Sequence, residues 1–502
     1  MTGTRTARRT PQASDRGRGG RRSRLRALLV NENRLLRRFS VLTATVVVTA
    51  LWSAILLAVP PATRRVLTPL VLLTDVVALG FLYVPALMVV ERMERVEPAL
   101  RVTPVRVFER VGVRVGMATV LALLSATAVT LAGDVPDIPV ALVGVAGMSV
   151  LIGLVAVAAV GSAATLTTFM LRAPLVAGPL LGPALIDAAG LADAPLLHLS
   201  PLTGALDMLR GDLTWPALLW LASWIAGAAV VAARAAPGSA PVRDRPARQG
   251  ATWPAHPGAY RLRTAVRSFA RADRRGLVRD GLLIMMAASV PLVALAGRLI
   301  GGAGVTWAAQ RHGVDLVPYL PAIWVILLVV HTPVVFGAVT GLLLLEDRDA
   351  GLLPAIAATR AGTATLLGYR LAATAACTAL GLAVALPLAG VRHPAGTAGT
   401  LAVIVAAAAV STVPAMLMAA TAANRVQGVA VMKMLGLPLY LPVATFFLDG
   451  PPRWLFAPLP SSWLMWSLWT SSAAAAIGHA ALAIALSALA TAMLWRRFVR
   501  SV

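Results

Sequence analysis

The chain has 502 residues, of which 58% are hydrophobic and 13% charged, and its mean hydropathy is +0.79. Soluble globular proteins carry about 25% charged residues, so this composition excludes an ordinary soluble protein and predicts an integral membrane protein. The net charge is +24, from 45 basic and 21 acidic residues. The arginines cluster beside hydrophobic blocks, where cytoplasmic arginines of membrane proteins lie, so we interpret this charge as membrane topology and contact with anionic lipid, not as nucleic-acid binding.

The first half of the chain begins with a basic tail and continues into apolar segments. Residues 1–23 have no apolar periodicity and are predicted to be a disordered cytoplasmic tail. Residues 24–39 have apolar residues at helical spacing between arginines, which predicts an interfacial helix. Because about 20 apolar residues cross a bilayer, the unit 24–236 is predicted to hold six spans, near 40–59, 68–90, 110–132, 138–162, 172–190 and 215–236.

The second half repeats this order after a polar cytoplasmic linker, residues 237–264. Within the unit 265–502, the basic stretch 268–281 resembles the stretch before the first span. Six further spans are predicted near 281–300, 316–345, 366–391, 398–423, 429–448 and 471–495. The sequence therefore predicts an all-α integral membrane protein with about twelve transmembrane helices, arranged as two parallel six-helix repeats.

The distribution of charge predicts the orientation of the chain. Loops 91–109 and 346–365 carry much of the loop arginine, whereas several loops on the other side carry aspartate. The positive-inside rule then places both termini in the cytoplasm of a multi-pass plasma-membrane protein. A single lysine, Lys433, among 45 basic residues is typical of a GC-rich bacterial genome. Segments 195–209 and 451–465 correspond, and each predicts a short interfacial or re-entrant helix on the outer side.

A charged segment occurs twice, 256 positions apart, as residues 91–114 and 347–370. Each copy follows a long apolar run and contains a short amphipathic stretch. Such a helix at the inner surface can place its apolar side in a groove of a soluble partner; the alternative is a simple turn between two spans. Six of the 24 paired positions are identical: Arg92/Arg348, Pro98/Pro354, Ala99/Ala355, Thr103/Thr359, Gly112/Gly368 and Arg114/Arg370.

Two ionisable residues, Asp75 and His331, occupy equivalent places in the second predicted span of each half. Ionisable groups inside a membrane usually face a cavity or a partner. Our hypothesis is that both residues line a transport pathway between the halves. The alternative is a local hydrogen bond between neighbouring helices, or a position nearer the outer interface.

The sequence contains no recognisable catalytic site. Lys433 follows Met432, so the chain has no phosphate-binding loop of the GxxxxGK[ST] kind. Cys377 is the only cysteine and the six histidines are scattered, so no metal site is predicted. We therefore expect a protein that is not an enzyme and that binds no cofactor itself.

Residues 73–109 resemble the permeases of type-2 ABC exporters, particularly the fluoroquinolone export permease group. The motif residues are Glu91, Glu94, Ala99, Leu100, Val102, Thr103 and Pro104. The second half departs from the motif where Arg360, not proline, follows Thr359. The resemblance implies that 24–39 is an elbow helix and that 91–107 is a coupling helix, which contacts a separate ATPase subunit. The residues expected to couple to the ATPase are Glu91, Arg92, Glu94, Pro98, Leu100, Thr103 and Pro104, with Glu346, Asp347, Arg348, Pro354 and Thr359 in the second copy.

This resemblance implies the permease subunit of an ATP-driven exporter, with ATP and Mg bound by the partner ATPase. The expected cargo is a hydrophobic or amphiphilic small molecule such as a drug or an antibiotic. Two alternatives stay open. One is a proton-coupled secondary multidrug transporter of the major facilitator type, because six-plus-six parallel repeats also fit that architecture. The other is a membrane scaffold or regulator that moves no cargo.

Overall fold

Every regular element in the described part of the chain is helical. The computed structural model describes residues 13–38, 41–93, 103, 105–161, 166–188, 194–235, 262–279, 281–313, 315–359, 362–424, 427–428, 431–432, 438–448 and 450–500. The chain divides into two compact units, Met1–Ala164 with Leu175–Ala240 and Thr165–Pro174 with Pro241–Val502. The division near residue 240 falls within the predicted linker.

The described residues before the linker form eight α-helices, and a 3-10 helix, Pro195–Leu199, lies between the sixth and the seventh. The α-helices are α1 (Ala13–Arg38), α2 (Val41–Ala58), α3 (Pro61–Met93), α4 (Val107–Gly133), α5 (Ile138–Gly161), α6 (Leu166–Ala188), α7 (Pro201–Arg210) and α8 (Trp215–Ala235).

Helix α5 is the centre of the first unit, where it packs against α3, α4, α7 and α8. Its side chains are almost all apolar, as is typical of a helix buried on several sides. Met148, Leu151 and Ile152 are fully buried. Small residues allow this helix to pack closely. A Cβ atom at Gly144 would lie only 2.9 Å from the Met208 Cβ of α7.

Helix α7 is short and buried. Its N-cap residue Ser200 accepts a hydrogen bond from the Leu202 backbone nitrogen (3.3 Å) and donates one to the Leu180 carbonyl oxygen (2.6 Å). The helix ends at Gly211, whose φ of 102° is left-handed. Its ten residues extend about 15 Å, half of a bilayer crossing. A short helix therefore exists within the segment 195–209, where the sequence predicts one.

After the linker, the part of the chain that the structure describes forms ten α-helices and four 3-10 or π segments. The non-α segments are Val317–Tyr319, the π-helix Val325–Val330, Leu441–Phe446 and Pro451–Phe456. The α-helices are α9 (Leu262–Arg279), α10 (Gly281–His312), α11 (Leu320–Trp324), α12 (His331–Asp349), α13 (Leu352–Ala357), α14 (Gly362–Ala389), α15 (Gly396–Val410), α16 (Thr412–Thr421), α17 (Pro460–Trp469) and α18 (Ala473–Val499).

The second unit shares two features with the first, a basic helix near its start and a short buried helix before its last long helix. It begins with a basic helix, α9, and ends with a short buried helix, α17, followed by the long apolar α18. Helix α17 packs against α15 and α18, and α12 packs against α14 and α16. The stretch from Val317 to Asp349 is helical throughout, and its π-helix ends immediately before His331.

The prediction of an all-α membrane protein is confirmed. In the described residues, nine helices are long and apolar enough to cross a membrane, or ten if Arg22–Arg38 and Val41–Leu57, bent by 65°, count as one span. The number twelve stays a prediction. The apolar part of α6 is only Leu175–Ala188, and residues 429–430 and 433–437 of the predicted span 429–448 lie outside the described residues.

Helix α1 differs from the sequence prediction because it begins at Ala13, within the segment 1–23 that we predicted to be disordered. Residues 1–12 of that segment lie outside the described residues. Arginine, the main residue of this region, is a good helix former. Most of the predicted linker 237–264 also lies outside the described residues, and α9 begins at Leu262.

Replacing Gly337 with alanine should destabilise the second unit. The new Cβ would lie 2.5 Å from the Ser411 backbone oxygen and closer still to Pro414, so α12 and α16 would have to separate. Overpacking of this kind costs about 1–3 kcal/mol. Gly478→Ala is the matched control, because its Cβ would meet nothing within 4 Å. Thermal denaturation in detergent should show a lower midpoint for Gly337→Ala alone; equal midpoints would contradict this packing.

Candidate functional site

A buried arginine joins three helices of the first unit. Arg114 of α4 is 2% exposed and lies between Glu32 of α1 and Glu91 of α3. Its Nε and Nη2 donate to the two carboxylate oxygens of Glu32, over 2.7 and 3.2 Å. Its Nη1 and Nη2 donate to those of Glu91, over 3.0 and 2.6 Å. We call Glu32, Glu91 and Arg114 the first clasp.

Further polar contacts hold the basic helix α1 against this clasp. The Tyr83 hydroxyl of α3 donates to Glu32 over 3.0 Å. Arg24 of α1 pairs with Glu109 of α4 at 3.3 Å. Glu109 also accepts a hydrogen bond from the backbone nitrogen of Arg106, the N-cap of α4, over 3.2 Å. Helix α1 is therefore joined by ion pairs to the first two turns of α4.

The second unit contains a corresponding arrangement around Arg370 of α14. The Arg370 Nη2 and Nε lie 2.9 and 3.4 Å from the carboxylate oxygens of Asp273, in the basic helix α9. The Arg370 Nη1 forms an ion pair at 2.8 Å with Asp347, near the end of α12. We call Asp273, Asp347 and Arg370 the second clasp.

The charges of both clasps follow one pattern, in which a single guanidinium lies between two carboxylates. An arginine can do this because its planar group presents several N–H donors in a fixed geometry. Burial of these charges is costly, and the ion pairs offset that cost only while every partner is present. Each clasp therefore favours one arrangement of its three helices.

The sequence analysis noted four of the six clasp residues without predicting their ion pairs. Arg114 and Arg370 are an identical pair in the repeat, and Glu91 and Asp347, which are paired at the same offset, were expected to couple to an ATPase. Sequence reasoning missed Glu32 and Asp273, because they occupy different positions within their basic helices. The signal that could have found them is an acidic residue within a segment otherwise rich in arginine.

The structure places the other coupling residues of the second copy near the clasp or on the surface. Arg348 donates to the backbone oxygens of Ala419 (3.3 Å) and Ala422 (2.9 Å), and its guanidinium lies 4.9 Å from the centre of the Phe498 ring. Helix α13 follows, with Leu353 buried and Leu352 exposed. Exposed side chains belong to Glu346, Pro354 and Thr359.

The first coupling segment is mostly outside the described residues. Glu94, Pro98, Leu100 and Pro104 fall there, and for Arg92 only the helical backbone is described. Thr103 is exposed. A coupling role for these residues, and for Glu91 and Asp347 within the clasps, stays a prediction.

Asp75 and His331 both form hydrogen bonds to neighbouring helices of their own unit. Asp75 accepts from the Ser125 hydroxyl over 2.7 Å, and Ser125 also contacts the Thr49 hydroxyl at 2.7 Å. His331 Nε2 lies 3.1 Å from the Ser289 hydroxyl, and its Nδ1 lies 3.4 Å from that of Tyr440. Both side chains are half-buried. The pathway role of the two residues stays a prediction.

The first unit also contains an apolar cavity of about 570 Å³. Its walls come from α5, α6 and α8, and they include Val155, Val176, Trp220 and Trp224. Ser223 is its one hydroxyl-bearing lining residue, and this hydroxyl donates to the Trp220 backbone oxygen over 2.7 Å. Within the described residues, no group of three His, Cys, Asp or Glu side chains is placed to hold a metal ion.

Comparison with known proteins decides the family. The family described as "Fluoroquinolones export permease protein Rv2686c-like" matches residues 273–497, which include the whole second clasp. Fluoroquinolones export permease protein Rv2686c of Mycobacterium tuberculosis (strain ATCC 25618 / H37Rv) is 29% identical over 209 residues, 41% of this chain and 83% of the relative. Fluoroquinolones export permease protein Rv2687c of the same strain is 31% identical over 185 residues, 36% of this chain and 76% of the relative.

The chain belongs to the fluoroquinolone export permease family. The family resemblance noted in the sequence is thereby confirmed. Because one aligned stretch is 83% of the Rv2686c relative but only 41% of this chain, that fluoroquinolone export permease is about half as long as this one.

Replacing Arg114 with methionine should destabilise the first unit by about 3–5 kcal/mol, because Glu32 and Glu91 would be buried without a positive partner. The triple variant Arg114→Met, Glu32→Gln, Glu91→Gln removes the charges together and should recover much of the loss. Arg370→Met should behave as Arg114→Met does. The measurement is the thermal midpoint of the purified protein in detergent.

Arg65→Met is the matched control for the clasp. Arg65 pairs with Asp134 at 3.3 Å, but both side chains are more than half exposed. Exposed ion pairs contribute about 0–1 kcal/mol. Equal losses in Arg65→Met and Arg114→Met would contradict the assignment, as would a triple variant no more stable than the single one.

Proposed function

We propose that this protein is the permease subunit of an ATP-driven, ABC-type exporter of hydrophobic or amphiphilic drugs, including fluoroquinolones. Membership of the fluoroquinolone export permease family supports a drug-export permease. The observation that supports coupling to a separate ATPase is the position of the clasps around the two repeated segments. ATP and Mg would be bound by the ATPase subunit.

Each repeated segment begins and ends at a clasp. Glu91 is the first residue of the first segment and Arg114 is its last, while Asp347 and Arg370 have the same places in the second. A force on the segment would therefore act on both partners of one ion pair. In our proposal, the ATPase closes on ATP and displaces the two segments. The clasps then transmit this displacement to the basic helices α1 and α9 and to the spans.

The bidentate geometry of the first clasp suits this task. Two parallel N–H···O bonds fix the relative angle of guanidinium and carboxylate as well as their distance. Arg114 makes two bonds to each of its carboxylates. Sliding of α1, α3 or α4 alone would break at least one pair, so these helices should move together.

The proposed cargo agrees with the lining of the first unit. The cavity beside Trp220 and Trp224 is apolar and about 570 Å³ in volume, within the range of cavities that bind drug-sized molecules. We propose a bacterial plasma membrane with both termini and both repeated segments on the cytoplasmic side, where the ATPase has access to ATP.

Vesicles test this proposal against the proton-coupled alternative. Inside-out vesicles that contain the permease and a co-expressed P-loop ATPase should accumulate a fluoroquinolone when ATP is added, and a protonophore should leave this accumulation unchanged. Uptake driven by a proton gradient in vesicles without any ATPase would contradict the proposal and support the secondary transporter.

Reversing an exposed charge at the second segment should uncouple the ATPase without loss of stability. Glu346 is exposed and lies next to the clasp residue Asp347. Glu346→Arg should lower permease-stimulated ATP hydrolysis several-fold and keep the thermal midpoint of the wild type. Asp212→Arg, at another exposed acidic residue in a loop that we predict to be external, is the control and should change neither quantity. Normal stimulation in Glu346→Arg would contradict a contact at this position.

Asp75→Asn and His331→Gln test the pathway hypothesis. Each substitution keeps the size of the side chain and removes its ability to ionise, so export should fall several-fold if the two groups line the path of the cargo. Ser125→Ala removes the hydroxyl contacts to Asp75 and Thr49 but leaves the Asp75 carboxyl group in place, so it should have the smaller effect. The measurement is drug transport in the ATP-driven vesicles. Unchanged export in both variants would remove Asp75 and His331 from the pathway.

A further inference from the structure

The second unit contains a group of aromatic rings around an arginine. The Arg453 guanidinium lies 5.3 Å from the centre of the Trp454 ring and 4.9 Å from that of Trp466. Trp463 contacts Trp466 edge to face at 4.8 Å, and the His479 ring lies 5.7 Å from Trp463. We call these five residues the Trp–Arg cluster.

Hydrogen bonds hold two of the indole rings in place. The Trp466 Nε1 donates to the Thr445 hydroxyl over 2.9 Å, and the Trp463 Nε1 donates to the Ala457 carbonyl oxygen over 2.7 Å. Trp466 is 5% exposed. The cluster is therefore ordered before any ligand arrives, which lowers the entropy cost of binding.

One polar atom of the cluster lacks a partner in the part of the chain that the structure describes. The Arg453 Nε is buried and forms no hydrogen bond there. Among the residues that the structure describes, no carboxylate forms an ion pair with Arg453. A buried donor without a partner costs about 1–3 kcal/mol, and such groups are rare in native proteins. A ligand that supplies acceptor oxygens would remove this cost.

An apolar surface lies directly beside the charge. Trp454 is 54% exposed and Leu455 is 80% exposed. The corresponding 3-10 helix of the first unit, Pro195–Leu199, has the sequence PLLHL and offers neither arginine nor tryptophan. An aromatic belt at a membrane interface accounts for the exposed indole, but not for an arginine that has no counterion among the described residues.

We propose that the Trp–Arg cluster binds an amphiphilic organic anion. The Trp454 and Trp466 rings both lie on one side of the guanidinium, so N–H groups directed away from the rings can donate to a carboxylate or phosphate oxygen. The flat or apolar body of the ligand packs on Trp454 and Leu455. The oxyanion comes either from the cargo, in which case this inference rests on the proposed function, or from the headgroup of an anionic lipid.

A quinolone acid tests the site in the full-length protein, purified in a maltoside detergent that carries no phosphate. Equilibrium dialysis would compare nalidixate with its uncharged ethyl ester. The wild type should bind the acid about tenfold more tightly than the ester, as hydrogen bonds to a charged group would give. Arg453→Gln should abolish this difference. Arg392→Gln, at an exposed arginine of the same unit, should keep it.

A second variant and a lipid separate the contributions. Trp454→Leu removes the stacking surface and should weaken acid and ester alike, while the preference for the acid stays. Competition by phosphatidylglycerol would show that a lipid phosphate uses the same site, and its absence would show that the site selects the carboxylate. Equal affinity of wild type and Arg453→Gln for nalidixate overturns the proposal.

The test also separates this site from the proposed function. If the permease exports a drug with its ATPase but binds acid and ester equally well, the Trp–Arg cluster is not a site and the proposed function stands. If the cluster prefers the acid but ATP drives no export, the anion site stands and the proposed function fails.

Discussion

The arrangement of each unit depends on a guanidinium enclosed by two carboxylates. In a membrane protein the apolar surfaces of helices do not by themselves favour one packing, because lipid tails solvate them equally well. A buried charge does favour one packing of the helices, because a buried charge is tolerated only beside groups of opposite charge. Arg114 and Arg370 therefore fix which helices meet and at what depth, while glycines such as Gly144 and Gly337 determine how closely the apolar helices approach.

The two clasps have equivalent positions but not equal strength. Arg114 is bound by two carboxylates in bidentate fashion, and Tyr83 donates a further hydrogen bond to Glu32. In the second unit the contact to Asp347 is a single ion pair, and the tyrosine that hydrogen-bonds to Asp273 is Tyr369, because the position that corresponds to Tyr83 is Val339. The second clasp thus has fewer bonds to lose, and the helices that it joins are the more easily displaced.

Hydrophobic length and charge placement predicted most of the helices, because both properties are local in the sequence. The repeat showed that Arg114 with Arg370, and Glu91 with Asp347, keep their spacing, but it did not predict that they form ion pairs. The partners Glu32 and Asp273 do not share a position in the repeat, and only the packing of their helices brings them to the arginines. The cluster around Arg453 was missed for a related reason: tryptophans near a membrane surface are common, and only the folded structure brings Trp466 and Trp454 together beside a cation.

The mismatch between the 3-10 helices Pro195–Leu199 and Pro451–Phe456 has an evolutionary consequence. In a transporter assembled from two copies of a shorter polypeptide, every mutation appears in both subunits. A residue that is useful in one subunit must therefore be harmless in the other. Joining the copies covalently removes this restriction. One copy can then evolve residues that recognise a ligand while the other copy keeps the ancestral residues. Selection acts on each copy separately.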